Sequence, residues 1–329
     1  MRSLFARLSA GVFLGIAVLL FSSPARAQVV RTADATIRGF HESDFPRIKK
    51  LADNVYAYED LNGTLDSNLA FTTNSLIVVT ADGVLVADGQ GSVAKTRRMI
   101  EEIAKITPQP IKYMVICADH GDHIAGNSAF PANVTFIAHP TSKAVIERQA
   151  QAAAGRGRGG APPAPVRIPQ ETVSDRRVLT MGGTEIQILF LGRAHTGGDL
   201  HIFLPRENIL FMSEAFFNRL YPSVGGSRSA YPIQWIETIK KAEAMNARMV
   251  VPGHGFVDSP DVLKEELVGF RRALENLVAE SRRMHTANVS LENAPRGINL
   301  GEFQYWYRAA NNMPDAVRQV YLEIEGKLP

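Results

Sequence analysis

Between Asn74 and Ala153 the apolar residues change period several times. "NSLIVVT" (Asn74 to Thr80) and "GVLVAD" (Gly83 to Asp88) are short, rich in valine and isoleucine, and separated by the turn residues "ADG". Both read as strands. "SVAKTRRMIEEIAKI" (Ser92 to Ile106) then spaces Val93, Met99, Ile100, Ile103 and Ala104 toward one helical face. "IKYMVIC" (Ile111 to Cys117) and "VTFIAH" (Val134 to His139) return to strand, and "SKAVIERQAQAA" (Ser142 to Ala153) to helix. Strands alternating with helices predict an α/β layered domain, in which sites gather at the carboxyl ends of strands.

The second half repeats the strand pattern more densely, in "RRVLTM", "TEIQILFLG", "LHIFLP" and "NILFM". "PIQWIETIKKAEAM" predicts a helix, and "RMVVPGHG" a strand entering a tight turn. A C-terminal helical extension is expected from about residue 259. Ser259 stands as its N-cap with Pro260 at the first helical position, and Leu263, Leu267, Phe270, Leu274 and Leu277 form its packing stripe. Between the halves lies "AGRGRGGAPPAPVRIPQ" (Ala154 to Gln170), which matches G-x-G-x-x-G formally. No strand leads into it and prolines follow it, so it is read as a flexible insertion in one domain over 28–329, not as a nucleotide loop.

The first 27 residues read as a secretory signal. Arg2 and Arg7 precede the apolar run Leu8 to Phe21, and "ARA" ends at Ala27. The uninterrupted apolar run is shorter than the ~20 residues of a spanning helix, so no stable membrane insertion is expected after cleavage before Gln28. The segment carries three arginines and no acid, so the chain's 36 basic residues fall to 33, against 33 acidic. The mature chain is then formally neutral, which removes any electrostatic reason to expect nucleic acid. A periplasmic or secreted protein is expected. Cys117 is the only cysteine, so no intramolecular disulfide can form.

Eight histidines are present, and four of them follow apolar strands in turns. These are His120 and His123 in "ADHGDH", His195 in "GRAHTGGD" and His254 in "VPGHG". His41, His139, His201 and His285 lack that context and read as ordinary residues. Strand ends of a layered sheet share one rim, so the four turns can converge. Imidazole with carboxylate suits zinc, with iron and manganese as alternatives.

These motifs together resemble the metallo-β-lactamase superfamily from about residue 50 to about 260. "ADHGDH" stands for its H-x-H-x-D-H, "HTGGD" for its second motif, "LFMSEAFF" for its third and "PGHG" for its fourth. The resemblance implies a four-layer αββα sandwich of two mixed β-sheets flanked by helices, with metal at one edge. By position, it assigns His120 and His195 to a first metal, and Asp122, His123 and His254 to a second. Glu214 stands where the family places an aspartate or cysteine that bridges. Ala118 occupies the place of the family's first histidine, so the first metal loses an imidazole unless Asp119 or Cys117 substitutes. One tight zinc ion is therefore expected, with the first site either empty or holding a second, weaker ion.

The implied function is an exported metal-dependent hydrolase of a small-molecule cyclic amide or ester, of β-lactam or lactone type. A bound metal brings the pKa of its water to near ~7 and so yields hydroxide at neutral pH. Asp122 would orient this nucleophile and His120 would hold the second ion or the attacked group. Arg219 and Arg228 are the expected receivers of a substrate carboxylate. Phosphodiester or sulfate-ester hydrolysis, and a degenerate member that only binds metal or ligand, are the alternative readings.

Overall fold

The computed structural model describes residues 30–67, 70–155, 166–224 and 230–329. The signal segment, most of the Ala154 to Gln170 insertion, and Arg228 lie outside the described residues. Arg31–Pro329 form one compact unit.

An antiparallel hairpin of β1 (Arg47–Ala52) and β2 (Val55–Asn62) leads in, and β2 pairs along β3 (Phe71–Thr80). The first half then runs β4 (Gly83–Ala87), α1 (Val93–Ile106), β5 (Ile111–Ile116), the single turn α2 (Gly121–Ile124), β6 (Thr135–Ala138), α3 (Pro140–Gly155) and β7 (Glu171–Thr172). The second half runs β8 (Arg176–Met181), β9 (Thr184–Leu189), β10 (His201–Leu204), β11 (Ile209–Phe217), α4 (Pro232–Ala244), β12 (Met249–His254), α5 (Pro260–Thr286) and α6 (Ala309–Ile324). Strand order is β7-β6-β5-β4-β3-β12-β11-β10-β9-β8. β4 through β7 are parallel, as are β11 and β12, while β3–β4 and β8 through β11 are antiparallel.

Hydrogen bonding is continuous, but the two halves meet through a single register pair, Thr73 with His254. Side-chain alternation shows how they stack. Leu76, Val78, Leu85, Ala87, Val115 and Cys117 face a central core that they share with Ile186, Ile188, Ile202, Phe211 and Ala215 of the second half. Their neighbours Ile77, Val84, Val86, Met114 and Ile116 face outward, against Met99 and Ile103 of α1 and Ile146 of α3. With α4 and α5 packed on the other half and α6 against those helices, the result is the αββα layering that the resemblance implied, built from one hydrogen-bonded sheet that folds over at β3–β12.

The helices follow their sequence signals. Ser92 caps α1 by accepting from Lys95 N. Pro260 opens α5, and Leu263, Leu267, Phe270, Leu274 and Leu277 are all buried, each contributing about 1.5–3 kcal/mol by leaving water. Ser259 occupies the N-cap position, yet its side chain makes no capping bond. Among the described residues, no helix is long and apolar enough to cross a membrane.

Candidate metal centre

Each candidate metal-ligating side chain comes from a strand end or a strand interruption along one rim. β5 ends at Ile116, and the chain passes Cys117 to Asp119 before His120 takes the N-cap position of α2. That turn presents Asp122 and His123 from consecutive positions. The loop after β9 carries His195, and β12 ends on His254. Gly255 follows in the left-handed region (φ +77), where an added Cβ would collide with Asn218 O. Glu214 sits inside β11, where register shifts flank Ser213 (φ 49). This bulge turns the strand locally and aims the Glu214 side chain into the rim.

Two groups of ligand atoms result: Asp122, His123, Glu214 and His254, and beside them His120, His195 and Glu214. In the first, His254 Nε2 lies 3.1 Å from Glu214 Oε1, 3.3 Å from Asp122 Oδ2 and 3.4 Å from His123 Nε2. His123 Nε2 lies 3.6 Å from Asp122 Oδ2 and 3.8 Å from Glu214 Oε1. Ligands tetrahedrally disposed at ~2.0–2.2 Å from one ion stand roughly 3.3–3.6 Å apart, so these separations suit a single cation. In the second group, Glu214 Oε2 lies 2.7 Å from His120 Nδ1 and 3.0 Å from His195 Nδ1. One carboxylate thus turns a separate oxygen to each group.

The tautomers test whether a cation fits. His254 Nδ1 donates to Thr72 O at 2.8 Å, so its Nε2 in the neutral ring is a lone pair facing two carboxylate oxygens. His195 Nε2 donates to Ser223 O, which leaves its Nδ1 lone pair toward Glu214 Oε2. Glu214 Oε2 and His195 Nδ1 are buried without a hydrogen bond of proper geometry. Acceptor facing acceptor in a buried site is unfavourable without positive charge between them. A metal ion would supply it. The same crowding sets the protonation of the chain without metal. Burial opposes charge on His123, but Asp88, Asp122 and Glu214 outweigh it and raise the imidazole to about 10. Burial likewise opposes charge on Glu214, while His120, His195 and His123 hold its carboxyl well below the usual range.

Asp88 is the residue that sequence reasoning missed. It follows β4 in the left-handed region (φ 61), fully buried. Its Oδ1 accepts from Cys117 N at 2.8 Å and Ala118 N at 3.3 Å, while Oδ2 accepts from Ser213 Oγ and stands 3.1 Å from His123 Nδ1. It therefore ties the β5 loop, the β11 bulge and His123 together. The signal was present, since "GVLVAD" also ends an apolar strand on a ligand-type residue.

Neither substitute for the missing imidazole belongs to the ligand groups. Cys117 points into the central core, where burial first, and then Asp88 and Asp199, push its thiol up. Asp119 is buried beside Ser142, with burial raising its carboxyl, and it lines a different pocket. Among the described residues, this second group consists of His120, His195 and Glu214.

The expectation for Arg219 is corrected. Its Nε is 2.5 Å from Glu266 Oε2 and its guanidinium lies over Trp306, so it faces α5 rather than the metal cavity. The pairing spans 47 positions of sequence, which no local motif announces. The cavity, about 110 Å³, is lined by His120, Asp122, His195, Glu214 and His254 with Phe71, Phe217, Leu220, Ser223 and Arg308. Of the other histidines, His139 stacks on Phe190 at 4.3 Å and His201 is buried in β10, where burial lowers it to about 4.

Comparison with known proteins identifies the family. The family described as the metallo-beta-lactamase superfamily matches residues 69–254, more than half of the chain. A type 2 metallo-beta-lactamase of Bacteroides fragilis is 24% identical over 73% of this chain and 89% of its own length. A linear primary-alkylsulfatase of a Pseudomonas species is 22% identical over 73% of this chain and 53% of its own length. Among solved structures, a metallo-beta-lactamase from Pontibacter korlensis superposes with a TM-score of 0.55 at 20% identity, covering 69% of this chain and 98% of that one.

Proposed function

Because this chain belongs to the metallo-β-lactamase superfamily, we propose that it is an exported hydrolase of a cyclic amide or ester, of β-lactam or lactone type. That it is a metallo-hydrolase follows from the family; the substrate, the export and the zinc identity are the proposal. One observation carries the ligand assignment. Glu214 turns Oε1 to His254 and Oε2 to His120 and His195, so it can bridge two ions. Asp122, His123 and His254 would hold the tighter ion, and His120 and His195 a weaker one.

A bound zinc ion supplies Lewis acidity, polarising the attacked carbonyl and acidifying water. The chain's residues do the positioning. Asp122 turns Oδ2 toward His123 and His254, which leaves its other oxygen to orient the attacking water and accept its proton. His120 stands across the cavity, within reach of the attacked group. Phe71 lies edge-on to His254 at 4.8 Å and Phe217 edge-on to His195 at 5.2 Å, so aromatic edges exclude bulk water from two imidazoles. Sulfate-ester hydrolysis is the second reading, favoured by the relative named for alkylsulfatase activity.

The deciding experiment is a hydrolysis screen of chromogenic β-lactam, lactone and sulfate-ester substrates, with zinc-loaded and chelator-treated protein. Zinc-dependent opening of a β-lactam or lactone supports the reading; sulfate-ester turnover alone replaces it. Export is tested separately, by mass spectrometry of the mature N-terminus. Gln28 is expected; Met1 on the exported protein contradicts it.

A further inference from the structure

We propose that Arg308 forms an anion site in the wall of the metal cavity, so that substrates carry an acidic group a few atoms from the bond that is cut. Arg308 lies outside residues 69–254, the part matched by the family, and the inference rests on the metal-centre reading above.

Several long-range bonds hold this site in place. Leu220 and Tyr307 form a parallel bridge, in which Tyr221 N donates to Tyr307 O at 3.0 Å and Tyr307 N to Arg219 O at 3.2 Å. Tyr307 Oη donates to Ala70 O at 2.8 Å, and Asn312 Nδ2 to Tyr221 O at 2.8 Å. The C-terminal segment is thereby fastened to the loop carrying Ser223, the acceptor for His195. Arg308 itself adopts φ 61, ψ 19 at the N-cap of α6. That region is disfavoured for a residue with a Cβ, and the surrounding bonds hold it there.

The result is a guanidinium 5.5 Å from the ring centre of Phe71, the same ring that packs on His254. Arg308 and five ligand residues line one cavity of about 110 Å³. So small a space leaves room for only a short link between a group at the metal and a group at Arg308. A guanidinium presents a planar fork of donors suited to carboxylate or sulfate oxygens. Arg219, by contrast, faces α5 in its pairing with Glu266, away from this cavity.

The test uses cobalt-loaded protein and three short thiols: 3-mercaptopropionate, 2-mercaptoethanesulfonate and the neutral 3-mercaptopropanamide. Thiolate is a good ligand for this class of metal, and its charge-transfer absorption on cobalt reports binding without turnover. A charge-assisted contact predicts that an acidic thiol binds about 10-fold or more tighter than the amide. The carboxylate and sulfonate arms show which acid is preferred. Arg308→Gln should bring that ratio close to one while leaving the amide's affinity unchanged, and Arg308→Lys should keep part of it. On the wild type, added sulfate should compete with the acidic thiols and not with the amide, a readout that needs no variant. An unchanged ratio in Arg308→Gln, or equal affinities in the wild type, overturns the proposal alone. Absence of the absorption band with every thiol overturns the metal-centre reading and this inference with it.

Discussion

Replacing Glu214 by glutamine keeps the shape of the side chain and removes the charge that both ligand groups share. Its oxygens lie 2.7 and 3.0 Å from His120 and His195, and 3.1 Å from His254. The amide turns one of those oxygens into a donor that no metal accepts. Loss of partners that merely orient ligands costs ~10–100-fold in metal affinity, so loss of this direct ligand should reach at least the upper figure. At a zinc concentration of 100 times Kd, binding stabilises the wild type by about 2.7 kcal/mol. A 100-fold weaker site at the same concentration gives roughly 0.4 kcal/mol. At ~2 °C per kcal/mol, the zinc-dependent rise in melting temperature falls from about 5 °C to about 1 °C. The metal-free melting temperature of each protein is the reference from which that rise is taken. Calorimetry of both proteins with and without zinc measures both quantities. A variant that keeps the full zinc-dependent rise would show that Glu214 is not a ligand.

Further outcomes follow from the same geometry. Ala118→His should add a second tightly held ion, since the imidazole returns to a loop whose other groups already converge; metal titration against a chromophoric chelator reads it. Asp88→Asn should weaken metal binding by about 10–100-fold without removing a ligand, because Asp88 orients His123; the same titration checks it. Arg219→Ala should lower the melting temperature with KM unchanged for an acidic substrate, since among the described residues it leaves Glu266 with Arg31 alone as an ion-pair partner. A raised KM at unchanged stability would return Arg219 to the substrate site.

The layering was legible because alternation is physical. Leu76 and Val78 face one core and Ile77 the other, and the letters "NSLIVVT" already carry a strand's period of two. The meeting of the four imidazoles was legible for a related reason: strand ends converge on one rim, and histidines placed in such turns come together there. Where the contact was long in sequence, nothing local announced it. Arg219 finds Glu266 only because α5 packs beside the turn after β11, and Arg308 reaches the cavity only through the bridge of Tyr307 to Leu220. Asp88 stood in plain view at a strand end, but a single acid there is common in turns of every kind.

Metal content decides most directly whether two unequal ion sites exist. Protein loaded with excess zinc, dialysed against metal-free buffer and counted by plasma mass spectrometry should retain close to one ion per chain, and His254→Ala should retain none. Two ions surviving dialysis would mean that the site lacking the Ala118 imidazole is complete by other means. No ion retained by the loaded wild type would contradict the metal centre itself.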